Sequence, residues 1–347
     1  MGYSAAQAVE DVVAAPPILD AHLDLGMYLR QERQKGRRQV FASDFLQDAR
    51  ESGVRGIVAA IFTDEQSING SALQQACDQI AALQAEMCES PGQMKLCMTY
   101  ADLMEAAASG QIAILLSFEG IEPLGGNAEL LDFFYRVGVR GIGLAHARRN
   151  RACDGAYYTA SRHNIGGGLT EFGVQLILRA EELGMLIDVS HLNDLGMADV
   201  FSVTKCPIIA SHSNCRSLNP TLRNLTDEQI RTIADRGGVV GVNGCSAVIG
   251  DGPDNANLEM LVRHIEHLVQ VGGIDHVGIG LDMAERIMPG AYITVNGYRQ
   301  KVADIIPSYS ALGRLLSQLR RRGFTDDMLE KFCAANFFRV YREVLAP

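Results

Sequence analysis

No two of the eight cysteines stand in a Cys-x-x-Cys pair, so the thiolate spacing of a structural zinc site is missing. Eight cysteines in 347 residues are also dilute. Cys97, Cys206, Cys245 and Cys333 sit inside apolar segments, where a buried free thiol is expected, and a reducing, cytoplasmic setting follows. Basic charge is scarce. The 31 Lys and Arg against 41 Asp and Glu leave a formal net charge of −10, with a pI near 5.3. That balance excludes the basic face that a nucleic-acid partner needs. The densest basic patch, Arg30 to Arg38, reads as a solvated surface loop. No apolar run approaches the roughly 20 residues of a membrane span. Met1 to Pro16 lacks the basic start of a signal peptide, so no membrane partner is expected. No linker divides the chain, and residues 1–347 read as one domain.

What the chain has is one design repeated. Pro17-Ile18-Leu19-Asp20-Ala21-His22-Leu23-Asp24 is a short apolar strand that stops at a His-x-Asp pair. Residues i and i+2 of a strand share a face, so His22 and Asp24 project together. Val54–Phe62 is a second strand and Ile112–Glu119 a third, ending in an acid before Gly120. Val139–Ala145 ends at His146, Met185–Ser190 at His191, and Pro207–Ser211 at His212. Val239–Asn243 is the seventh strand, and His276–Leu281 ends at Asp282. Between them lie helical patterns, among them 71–88, 128–137, 171–183 and 258–271, with a capping box at Thr226 and Gln229. Two further helices, 308–322 and 326–344, close the chain.

Near-continuous apolar strands alternating with helices imply a parallel sheet covered on both faces. Eight such units imply an α/β fold, a (β/α)8 TIM barrel with additional C-terminal helices. That fold gathers functional groups at the carboxyl ends of its strands. Four of the eight histidines and three acids stand there: His22, Asp24, Glu119, His146, His191, His212 and Asp282.

Three imidazoles (His22, His191, His212) and two carboxylates (Asp24, Glu119) make a mixed nitrogen–oxygen ligand set suited to zinc or another first-row divalent ion. Five ligands exceed the need of one catalytic zinc. Two ions sharing a bridging carboxylate is the economical arrangement, able to activate a water and polarise a carbonyl. Asp282, last on the rim, is placed to take a proton from that water and pass it to a leaving amine. His264 and His267, on a predicted helix, read as a solvated face, and His276 as a residue of the barrel bottom. His163, near Gly166, Gly167 and Gly168, sits in a loop that could touch substrate.

These segments, joined by Arg223-Asn224-Leu225, Gly278 to Asp282 and Ala335 to Val340, resemble the membrane (renal) dipeptidase family, peptidase family M19 of the amidohydrolase superfamily. The resemblance spans nearly the whole chain. It implies a zinc-dependent dipeptidase, often tolerant of a D-residue at the second position. His22 and Asp24 would hold one zinc, His191 and His212 the other, and Glu119 would bridge them. It further implies that His146 binds the substrate carbonyl, that Arg223 grips the terminal carboxylate, and that Asp282 is the general acid/base. A small dipeptide-like substrate and a homo-oligomer are the partners expected. One departure stands out. Relatives commonly follow the last rim Asp with Phe-Asp-Gly, whereas this chain reads Asp282-Met283-Ala284-Glu285, so the segment 283–307 is expected to shape a different pocket. The alternatives are an amidohydrolase acting on N-acyl amino acids, another small amide or a lactone, a mononuclear deaminase, and a barrel that only binds a ligand. The deaminase would show His-x-His on the first strand; a non-catalytic barrel would have no reason to keep Asp282 and Arg223.

Overall fold

The computed structural model describes residues 16–63, 70–157, 166–250, 252, 254–295 and 298–345. The expectations for His163 and for the first fifteen residues lie outside them. The sheet strands are β1 (Ile18–Leu23), β2 (Val54–Phe62), β3 (Met94–Leu96), β4 (Ile112–Glu119), β5 (Val139–Gly143), β6 (Leu186–Asp188), β7 (Ile208–Ala210), β8 (Val239–Val242) and β9 (Val277–Ile279). Eight of them pair in parallel around a closed ring, β1-β2-β4-β5-β6-β7-β8-β9 and back to β1. This is the expected parallel barrel with surrounding helices. β3 adds a short ninth strand beside the start of β4.

Strand periodicity decides what faces inward. On β4, Ala113 and Leu115 join Leu19, Val58, Leu186, Ile209 and Val239 in the interior cluster, while Ile112, Ile114, Leu116 and Phe118 pack in the larger core that includes the helices. Two steps beyond Leu115 and two more bring the same face to Glu119. The C-terminal helix Asn336–Val344 adds Phe337, Val340 and Tyr341 to the interior cluster, closing the barrel opposite the strand ends. Glycine is required where strands crowd: a methyl group at Gly241 or Gly280 would meet the Ser211 carbonyl oxygen at 2.0 or 1.8 Å.

The seam between β1 and β9 is the weakest part of the ring, with one paired position, Asp20 with Ile279. A buried carboxylate reinforces it. Asp20 Oδ1 accepts the Leu281 N–H at 2.9 Å and the His22 N–H at 3.3 Å, and Oδ2 accepts the Tyr309 hydroxyl at 3.0 Å. Burial, against these bonds, lifts its pKa to about 6.

Several segments differ from the sequence reading. Arg30 to Arg38 is not a free loop: helix Leu25–Gln34 carries Arg33, whose guanidinium bonds Glu86 at 2.6 Å and Glu89 at 2.7 and 2.8 Å. Those partners lie more than fifty residues away, so local charge density could not show them. β3 and helix Tyr100–Ser109, with its Thr99–Asp102 capping box, were not read at all. His264 is not solvated. It is fully buried, accepting the Cys215 N–H at Nδ1 and donating from Nε2 to the Ile249 carbonyl. Cys97, Cys245 and Cys333 are buried free thiols, whereas Cys206 is half-buried.

Replacing Asp20 by Ala would leave two buried N–H groups and a buried hydroxyl without acceptors, each worth about 1–3 kcal/mol. Asp20→Ala is therefore expected to lower unfolding free energy by about 2–5 kcal/mol, and Asp20→Asn by less, in denaturant titrations. A loss under about 1 kcal/mol for the alanine variant would show that the seam does not depend on this carboxylate.

Candidate metal centre

The rim residues converge on one carboxylate. Glu119 ends β4, and its Oε1 lies 3.0 Å from His191 Nε2, 3.4 Å from His212 Nε2 and 3.9 Å from His146 Nε2. Its Oε2 lies 3.6 Å from His22 Nε2. The His191 and His212 Nε2 atoms are 2.9 Å apart, and the rings of His22 and His212 stack at 3.7 Å. One ligand atom each from His22, Asp24 and Asp282 also lie within 4.8 Å of one another. Two further triads, His22–Glu119–His212 and Glu119–His146–His191, meet the same limit.

The backbone is strained to aim two of these groups. His191 (φ 67°) and Asp282 (φ 53°) occupy the left-handed region, unusual for side chains with a Cβ. Neighbouring bonds hold both. The His191 carbonyl accepts the Ala156 N–H, the Asp282 N–H donates to the His22 carbonyl, and Asn243 Nδ2 donates to Asp282 Oδ2 at 2.9 Å. Asp188 at the end of β6 accepts the Ser190 and Ser211 N–H groups at 2.9 Å each, and also the Ser211 hydroxyl. That hydroxyl has one proton. Once it is given to Asp188, Ser211 Oγ can only accept from His212 Nδ1, 2.7 Å away. His212 therefore presents Nε2 as a bare lone pair, the form a metal binds.

The electrostatics point the same way. Burial pushes the pKa values of His22 and His146 down to about 3, and those of His191 and His212 well below the usual value. Burial, with Asp282 nearby, lifts Asp24 to about 8; burial lifts Asp282 to about 6, and burial with Asp24 and Asp282 raises Glu119 well above the carboxylate range. His22 Nε2, Asp24 Oδ1 and His191 Nδ1 are buried without hydrogen-bond partners. Neutral imidazoles and carboxylates crowded together, with lone pairs unspent, are a donor set for a divalent cation. The residues fit a metal.

Arg223 also comes to this place. It is buried, its Nη1 donating to Ser213 Oγ at 2.9 Å and Nη2 to the His212 carbonyl at 2.7 Å, while Nε has no partner. It does not pair with Asp227, which bonds His267 instead. The sequence reading had missed Asn243, although its place at the end of β8 follows the same strand-end rule. It also missed Arg148 and Phe62. With the cluster these border a cavity of about 410 Å³. Arg148 lies in the loop after His146, donating to the Thr63 carbonyl at 2.7 Å beside Glu122, and no strand periodicity marks it.

A closed parallel barrel with a histidine–carboxylate cluster at its strand ends is the construction of a metal-dependent hydrolase. The chain belongs to the membrane dipeptidase family, peptidase family M19, whose family model matches residues 6–346. It is 33% identical over 282 residues to an uncharacterised Klebsiella pneumoniae protein encoded in the pqqA 5′ region, covering 80% of this chain and 99% of that one. It is 29% identical over 278 residues to dipeptidase tcpJ of Claviceps purpurea, covering 80% of this chain and 62% of that protein. Among solved structures, the metallopeptidase dipeptidase AC superposes with a TM-score of 0.84 at 25% identity, over 96% of this chain and 100% of that one. A Rhodobacter sphaeroides metallopeptidase, liganded with a phosphinate mimic of L-Ala-D-Ala, shares the fold with a TM-score of 0.82 at 24% identity, over 95% and 99%. Among the described residues no helix is long and apolar enough to cross a membrane.

These shifts set the pH dependence of stability. An imidazole held neutral contributes stability above the unfolded value of about 6.5, lost as pH falls. A carboxyl with a raised pKa contributes stability at low pH, lost as pH rises through its folded value. Above about pH 7.5, a unit beyond the unfolded imidazole value, the imidazoles are neutral in both states, so the acids act, with Asp24 at about 8 and Glu119 well above the carboxylate range. Chelator-treated protein is expected to melt at progressively lower temperature as pH climbs from about 7.5 to about 8.5. Metal-loaded protein should not show that decline, because a cation takes the place of the protons. A melting temperature that rises with pH in the metal-free protein would contradict this.

Proposed function

We propose that this protein is a zinc-dependent dipeptidase, one domain over residues 1–347, holding two zinc ions bridged by Glu119. The observation that carries the reading is that the two Glu119 oxygens face different partners, Oε1 toward His191 and His212 and Oε2 toward His22. His22 and Asp24 would hold one ion, His191 and His212 the other. Bound there, divalent zinc supplies Lewis acidity, polarising the peptide carbonyl and easing deprotonation of the attacking water.

The chain's own groups do the rest. Asp282, its Oδ2 held by Asn243, takes the proton from water and delivers it to the leaving amine. His146, neutral and braced edge-on by Phe62 at 4.7 Å, donates a hydrogen bond to the oxygen that gains charge. Arg223 offers its unused N–H groups to the carboxylate of a free dipeptide. Membership in a dipeptidase family and the likeness to a curated dipeptidase support this assignment. Dipeptides of L-L and L-D configuration are both within the class.

Asp282→Asn is expected to keep about two zinc ions per chain by elemental analysis, while kcat falls by orders of magnitude. Turnover within about tenfold of wild type, a 1.4 kcal/mol effect, would remove Asp282 from the acid/base role. One firmly bound metal, unchanged in Glu119→Gln, would rule out the bridged pair.

The zinc-loaded enzyme should cleave a free dipeptide far faster than the corresponding dipeptide amide. In Arg223→Met the KM for the free dipeptide should rise by about 10- to 100-fold with metal content unchanged, as lost charge-assisted bonds of about 1.5–3 kcal/mol require. Equal rates on acid and amide would show that Arg223 does not read the carboxylate, and would favour a general amidase.

A further inference from the structure

The segment after Asp282 builds one wall of the catalytic cavity. It runs through Ala284 and Met288 into an antiparallel hairpin, β10 (Tyr292–Val295) with β11 (Tyr298–Lys301), and returns at Val302. The cavity has a charged part, with Asp24, Glu119, His146, Arg148, His191 and Asp282, and an apolar part to which the segment contributes Ala284, Met288, Ile293 and Val302. Val295 and Val302 are buried and pack with Cys245, Ala247 and Ala284 in a small apolar cluster of their own.

The wall is tied to the barrel. The Asp304 carboxylate accepts the Ala284 and Glu285 N–H groups at 3.0 Å each. The Ser246 N–H donates to the Ala303 carbonyl at 2.8 Å, the Ile305 N–H to the Gly244 carbonyl at 2.9 Å, and the Val302 N–H to the Ala291 carbonyl at 2.9 Å. A surface held this way from both strand-end loops can discriminate by shape, because it does not yield to fit each substrate.

Its position relative to the charged groups says which part of a substrate it meets. Ala284 follows Asp282 by two residues, and Cys245 follows by two the Asn243 that bonds Asp282. On the dipeptidase reading Asp282, which holds no metal, is the acid open to a substrate ammonium, while Arg223 is fastened to Ser213 and the His212 carbonyl. With the carboxylate at Arg223 and the ammonium beside Asp282, the side chain of the amino-terminal residue lies along the apolar wall. An acidic side chain there would have to shed its water against apolar groups.

We propose that the 284–302 wall makes this enzyme selective for dipeptides whose amino-terminal residue carries a bulky apolar side chain, and turns away those beginning with Asp or Glu. This rests on the dipeptidase reading above. The test is kcat/KM of the zinc-loaded protein on Leu-Ala, Phe-Ala, Gly-Ala, Asp-Ala and Ala-Leu. Leu-Ala and Phe-Ala are expected to exceed Gly-Ala by on the order of 10- to 100-fold, as burial of one apolar side chain allows. They should exceed Asp-Ala by more, and Ala-Leu should gain no such advantage. The double variant Met288→Ala with Ile293→Ala should cut the Leu-Ala to Gly-Ala ratio by about fivefold or more. A flat profile across the five substrates, an Ala-Leu preference equal to that for Leu-Ala, or a ratio unchanged in the double variant would overturn the inference while leaving the dipeptidase reading intact. No turnover of any dipeptide would overturn both.

Discussion

Glu119 lies among three buried imidazoles whose lone pairs converge on it and on one another, with the His191 and His212 Nε2 atoms only 2.9 Å apart. Such a cluster is unfavourable by itself. Carboxylates removed from water resist ionisation, imidazoles removed from water resist protonation, and neither supplies the cation that the other lacks. The rest of the structure can be understood as what holds that arrangement ready. Eight short strands in a closed ring allow no strand end to relax independently, and glycines at 241 and 280 let the backbones crowd around Ser211.

Around the ligands runs a set of buried carboxylates and amides that bind backbone more than side chain. Asp20 ties β1 to the strand that carries Asp282, and Asp188 ties β6 to the segment that carries His212. Asn243 restrains Asp282 itself. Through Ser211, Asp188 also decides which nitrogen of His212 is free, so that geometry and protonation state are set by one group. Left-handed backbone at His191 and Asp282 is the strain that this scaffold absorbs.

The site lies at the carboxyl ends of the strands because every crossover in a parallel barrel leaves its loops there, free to vary. The barrel strands end at the histidines and carboxylates of the cluster. The loops add Arg148 after β5, Arg223 after β7, and the hairpin after β9.

Apolar runs ending in His, Asp or Glu were enough to read eight strands, their parallel order and the rim positions of His22, Asp24, Glu119, His146, His191, His212 and Asp282, because strand length and period are local properties of the chain. Helix capping at Thr226 was legible for the same reason. What could not be read depended on partners far away in sequence. Arg33 seeks Glu86 and Glu89 on another helix, and His264 is buried because Cys215 and Ile249 come to it. The hairpin at 292–301 forms where the segment folds back on the strand-end loops, with bonds from residues 244–246 to 303–305. By itself, the sequence determined which side chains stand at strand ends and therefore what chemistry is present. Only the tertiary structure decided how those side chains meet: the two faces of Glu119, the bare nitrogen of His212 and the apolar wall across the cavity. Each depends on distances between segments that the chain brings together by closing the ring.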